Sequence, residues 1–203
     1  RKGRKFLCLL LCAVLLLSMS AAALGANNKY SSWFQTNYDE INKLGLMPES
    51  FNGLDLTKNI TRGEMCELAV YAFEKATGND IDMSNETFSG FTDTSDQNII
   101  KAHLYGIVNG YGSGLFGPND PVTREQLAAI LYRYAVYGGM TAVTLEENLG
   151  SFADTAQLSA YAIQAMNWAV GQGLINGSGS NLVPKAQATR AQVAAIIHRY
   201  LER

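Results

Sequence analysis

The chain has 203 residues, 47% of them apolar, and sets 16 Lys and Arg against 18 Asp and Glu for a net charge of −2. That length buries a core without disulfide staples, and three cysteines with two histidines leave little material for thiol or metal chemistry. The acidic balance argues against nucleic acid as a partner.

Arg1, Lys2, Arg4 and Lys5 precede an unbroken apolar run from Phe6 to Leu17 and then small residues through Ala26. This is the pattern of a signal peptide over residues 1–26. The run is shorter than the roughly 20 residues of a bilayer span, and no second candidate follows, so no membrane contact is expected after cleavage. Cleavage takes Cys8, Cys12 and four positive charges with it, moving the net charge from −2 to −6 and leaving Cys66 as the one thiol. Cys66 reads as a small apolar core residue on a helix.

Residues 27–78 form a first helical unit. Trp33, Tyr38, Ile41 and Leu44 mark a helix, Gly45-Leu46-Met47 a turn, and Pro48 to Asn59 a connection. A second helix opens at Thr61-Arg62-Gly63-Glu64 with Met65, Leu68, Ala69, Ala72 and Phe73 on its apolar face. A linker from Thr77 leads to a second unit, residues 88–139. It runs Phe91-Thr92-Asp93, a short helix through Ile99, Ile100, His103 and Leu104, the turn Gly106 to Gly110, Tyr111 to Pro118, and a helix opened by Thr123-Arg124-Glu125-Gln126. A second linker, carrying Glu146-Glu147, precedes the third unit, residues 149–203. There Phe152-Ala153-Asp154, a helix with Tyr161, Ile163, Met166 and Trp168, the turn Gly173 to Gly177, Pro184 and Thr189-Arg190-Ala191-Gln192 follow in the same order.

Thr61, Thr123 and Thr189 stand 62 and 66 residues apart, the spacing of a tandem array. Each begins a capping box: the Thr hydroxyl accepts from a backbone amide one turn in, and the Glu or Gln three residues on reaches back. An arginine therefore stands at three helix N-termini. Free amides, the positive end of the helix dipole and a guanidinium are expected to converge there, which makes Arg62, Arg124 and Arg190 candidate anion contacts. Trp168 reads as core, Tyr111 as a residue on which a ligand can stack, and Asp93 and Asp154 as caps of the helices that follow them.

Catalysis is not expected. A nucleophile with a base, paired carboxylates or a zinc-type spacing is missing, since His103 and His198 sit on different units. Asp93 to Asn98 lacks the glycine and closing acid of a calcium loop. No cofactor or metal is called for.

The order of these motifs resembles the S-layer homology family: an aromatic-x-Asp start, a Trp-bearing helix, a Gly-(apolar)-(apolar)-x-Gly turn, an apolar residue and a Pro, then a Thr-Arg box. The resemblance implies an all-α fold of three helix-turn-helix repeats in a three-pronged, pseudo-threefold bundle, one repeat per prong. It implies a secreted protein of the bacterial cell wall or surface layer that anchors non-covalently, without enzymatic activity. The ligand implied is acidic, often pyruvylated, polysaccharide linked to peptidoglycan, held between prongs by Arg62, Arg124 and Arg190. Self-assembly in a surface layer is a further implied association. Two other readings stay open, direct peptidoglycan binding and a secreted helical scaffold for proteins. Unit two is shorter than unit three between its Asp and first Gly, and unit one lacks the Phe-x-Asp start and has Gly63 in place of the box alanine. These departures favour the grooves of Arg124 and Arg190 as the working ones. The repeats fill the chain after the leader, so a stand-alone wall protein and part of a longer one are both compatible with it.

Overall fold

Each Thr-Arg pair opens a helix for a local reason. Thr61, Thr123 and Thr189 keep extended backbone angles, with φ of −84°, −80° and −86°, while each hydroxyl accepts from the amide three residues on. Glu64, Gln126 and Gln192 return the bond to the Thr amides. A cap of this kind contributes about 1 kcal/mol to each helix.

The computed structural model describes residues 29–84, 88, 90–138 and 149–202. The leader and Glu146-Glu147 lie outside the described residues. Among the described residues the helices are α1 (Gln35–Lys43), α2 (Arg62–Thr77), α3 (Gln97–Leu104), α4 (Arg124–Tyr137), α5 (Ile163–Gly171) and α6 (Arg190–Leu201), with four short 3-10 turns beside them. The fold is all-α, and among the described residues strand-type pairing is confined to isolated bridges. No helix among them is long and apolar enough to cross a membrane.

The three units meet at the residue before each box threonine. The Ile60 amide donates to the Ala188 carbonyl at 3.0 Å, Ala188 to Val122 at 2.8 Å, and Val122 to Ile60 at 3.1 Å, which closes a ring of three bonds. One step outward the pattern repeats. The amides of Arg62 and Gly63 bond to Asp120 and Pro118, those of Arg124 and Glu125 to Ala186 and Pro184, and those of Arg190 and Ala191 to Lys58 and Leu56, all at 2.8–3.0 Å.

This junction decides how the helices pair. α2 packs on α3, α4 on α5, and α6 on α1. The expectation of one repeat per prong is therefore corrected: every lobe joins the second helix of one unit to the first helix of the next, and the lobe of α6 and α1 closes the circle. The cause is the connection inside each unit, which runs into the central ring before its second helix starts and so delivers that helix to the neighbouring lobe.

The core is continuous across all three units. Met65 of α2, Ile130, Leu131 and Tyr134 of α4, and Ile197 and Tyr200 of α6 surround an apolar void of about 10 Å³. Phe73, Tyr134 and Tyr200 link the same three helices edge to face at centroid distances of 5.8 and 5.5 Å. Each fully buried Ile, Leu or Met contributes about 1.5–3 kcal/mol. Trp168 is buried within this core, and burial pushes the Cys66 thiol up to about 12, which keeps it protonated and unreactive.

Asp93 and Asp154 do not cap the helices that follow them. The Asp93 carboxylate accepts from the amides of Phe116 and Gly117, and Asp154 from those of Leu182 and Val183. Each thus pins the connection of its own unit, and α3 is capped by Asp96 instead. Phe91 and Phe152 complete the arrangement by pressing on Gly110 and Gly177, where an added Cβ would strike the aromatic ring and a loop carbonyl.

Candidate ligand grooves

The three box arginines all cross from their own helix to the next unit. Arg62, 6% exposed, donates from Nε to the Phe116 carbonyl at 3.0 Å and from Nη2 to the Asn109 carbonyl at 2.8 Å. Its guanidinium lies 4.4 Å from the Tyr111 ring centroid and 4.3 Å from that of Phe116. Arg124 repeats the geometry, with Nε on the Leu182 carbonyl at 2.9 Å and Nη2 on the Asn176 carbonyl at 2.7 Å. In both, Nη1 has no partner among the described residues.

Arg190 differs. Its Nε and Nη2 form a two-pronged bridge to Glu64 at 3.0 and 2.7 Å, and its Nη1 donates to the Asp55 carbonyl at 3.0 Å. All three nitrogens are engaged. Glu64 is the third residue of its capping box, where units two and three carry Gln126 and Gln192, so one added charge converts an open arginine into a closed ion pair.

The helix amides expected to lie free are taken. The first two of each box helix bond to carbonyls of the next unit and the third to the Thr hydroxyl. What is left to meet an anion is guanidinium, and half of it lies outside the capping boxes. Nine residues after Arg124 stands Arg133, and nine after Arg190 stands Arg199, whereas the same step from Arg62 reaches Tyr71. Nine residues is two and a half helical turns, which carries each of these side chains down the helix into the groove beside its neighbour's arginine.

Two grooves result. The first, about 220 Å³, lies between the lobes of α2 with α3 and α4 with α5 and is lined by Arg62, Asn109, Tyr111, Gln126, Ile130, Arg133 and Tyr161. The second, about 140 Å³, lies between the lobes of α4 with α5 and α6 with α1 and is lined by Arg124, Asn176, Gln192, Ile196, Arg199 and Trp33. The two match position for position: Arg62 with Arg124, Asn109 with Asn176, Gln126 with Gln192, Ile130 with Ile196, Arg133 with Arg199. An exposed aromatic edges each, Tyr161 in the first at 55% and Trp33 in the second at 51%. Tyr111, 54% exposed, flanks the first on the side of Arg62.

Tyr161 is held in place by a buried acid. Glu125 accepts from its hydroxyl at 3.2 Å, from the amide and hydroxyl of Ser159, and from Lys185 at 2.6 Å. Burial alone would raise the Glu125 carboxyl, but the bonds from Lys185 and Ser159 hold it below the usual range. Burial and then the Glu125 charge push the Tyr161 hydroxyl up to about 12, so it remains a donor.

Residues 91–128 and 151–194 match the S-layer homology domain family. An amylopullulanase of Thermoanaerobacterium thermosulfurigenes is 34% identical over 72% of this chain and 8% of its own length. Exoglucanase XynX of Acetivibrio thermocellus is 33% identical over 72% of this chain and 13% of its own. A surface-layer 125 kDa protein of Lysinibacillus sphaericus is 29% identical over 99% of this chain and 17% of its own. The chain thus spans less than a fifth of each of these relatives.

Proposed function

Residues 91–128 and 151–194 belong to the S-layer homology domain family, and from that membership we propose that this chain anchors to the bacterial cell wall by holding an acidic wall polysaccharide in two grooves, one at Arg62 and Arg133 and one at Arg124 and Arg199. The observation that carries this reading is the pairing of an arginine with a free Nη1 and a second guanidinium in each of these grooves, against an arginine neutralised by Glu64 in the third position. Two guanidinium groups facing one cleft form a site for a carboxylate, because the planar fork donates two parallel hydrogen bonds where lysine offers a point charge. Tyr111, Tyr161 and Trp33 supply flat apolar faces against which a sugar ring packs. Asn109 and Asn176 lend their carbonyls to the box arginines, which fixes each guanidinium before ligand arrives. The setting is the cell surface and the role is attachment. The enzyme names of two relatives belong to chains many times longer than the matched part.

Arg133 and Arg199 are the residues to change, since each box arginine makes several bonds to the next unit, whereas Arg199 makes one, from Nη1 to the Leu174 carbonyl at 3.2 Å. In a pull-down with purified wall sacculi, an Arg133→Gln, Arg199→Gln double variant is expected to lose at least about tenfold in retained protein, the equivalent of one lost charge-assisted contact, while its thermal transition falls by only about 2–4 °C with the Leu174 bond. Sacculi stripped of their secondary polysaccharide are expected to retain neither protein. Undiminished retention on bare peptidoglycan would transfer the ligand to the peptidoglycan itself, and no retention on either would favour a protein partner.

A further inference from the structure

The lobe that closes the ring holds a cluster that the grooves do not use. His198 lies on α6 and is 2% exposed, and neither ring nitrogen has a hydrogen-bond partner among the described residues. Buried polar groups are ordinarily bonded, so an imidazole withdrawn from water with neither nitrogen hydrogen-bonded has a lone pair to offer a ligand. Two carboxylates converge on it. Glu202, the residue that caps the end of α6, places Oε1 3.4 Å from Nε2, and Glu40 of α1 places Oε2 4.0 Å from Nδ1, so each carboxylate approaches a different nitrogen. One ligand atom from each of the three residues lies within 4.8 Å of the others.

We propose that Glu40, His198 and Glu202 bind a divalent transition-metal ion of the zinc class, which staples α1 to α6. Ligand bonds of about 2.0–2.2 Å require three donor atoms to approach one another within roughly 3.5 Å. The ion takes one ring nitrogen, and the glutamate that faces the other, on a side chain more than half exposed, has the freedom to swing across and close that gap while the buried imidazole stays fixed. Exposure on the glutamate side also gives the ion an entry path and leaves a coordination position for water. A nitrogen with two carboxylate oxygens is a borderline donor set, which suits zinc, cobalt or nickel and disfavours calcium and magnesium. Sequence spacing could not reveal it, because Glu40 and His198 stand at opposite ends of the chain.

Zinc chloride titrated into chelator-treated chain at neutral pH tests this by calorimetry and by melting. The expected result is one equivalent bound, a thermal transition that rises with zinc and returns on adding chelator, and an affinity at least about tenfold weaker in Glu40→Gln and in Glu202→Gln. Both substitutions are on exposed side chains and leave the metal-free transition in place, so lost binding cannot be lost folding. Failure to saturate below millimolar zinc overturns the proposal, as does an affinity unchanged in the double Gln variant. A transition that ignores zinc yet rises on mild acidification also overturns it, by making the cluster an ion pair formed on protonated His198.

Discussion

Arg62, Arg124 and Arg190 occupy one helical position in three copies, yet their surroundings divide them. A carboxylate at Glu64 closes one arginine, and a carboxamide at Gln126 and Gln192 leaves the other two open. The division is reversible on this account. Glu64→Gln keeps the cap bond to Thr61, releases Arg190, and with Tyr71→Arg rebuilds the third groove in the image of the other two. That double variant is expected to bind wall sacculi several-fold more tightly than the parent, read from the half-saturation of pelleting. It is also expected to lose about 1–3 kcal/mol of stability with the Glu64 bridge. The arginines and their threonines were legible in the sequence because a capping box is a local pattern. Arg133 and Arg199 were not singled out, since an arginine inside an amphipathic helix looks like any solvated position until the neighbouring lobe is in place.

Helices and turns were legible for the same local reason, through apolar periodicity and glycine punctuation. Their pairing was not. Nothing in the spacing of α2 and α3 says that they pack more closely than α1 and α2, because the decision is made by backbone bonds among Ile60, Val122 and Ala188. The roles of Asp93 and Asp154 escaped for a related reason, as an aspartate before a helix is usually its cap, and here each reaches over 20 residues along the chain to a loop. The Gly117 amide foremost holds the Asp93 carboxyl below its usual range. For Asp154, burial works upward and the Leu182 and Val183 amides outweigh it. A carboxyl depressed by folding stabilises the protein above its unfolded value of about 3.9, and that contribution is lost as pH falls through the lower folded value. Thermal stability is therefore expected to hold from neutral pH to about 4 and to drop below it. In Asp93→Asn and Asp154→Asn variants, melting followed by circular dichroism is expected to show a shallower acid limb.

At the scale of the molecule, three units share one core and one ring of backbone bonds, so no unit has an interior of its own. An open solenoid melts repeat by repeat when its interfaces are weak. This closed arrangement is expected instead to unfold in a single step, with calorimetric and van't Hoff enthalpies equal. Two transitions in the calorimetric scan would show that the first unit stands apart. Closure by α1 and α6 bears also on assembly. The other lobes unite helices that are neighbours along the chain, but α1 has no mate until the last helix is delivered. In a concentrated solution the α6 of a second molecule can fill that vacancy as well as the chain's own, so domain-swapped dimers are the misassembly to which this topology is most open.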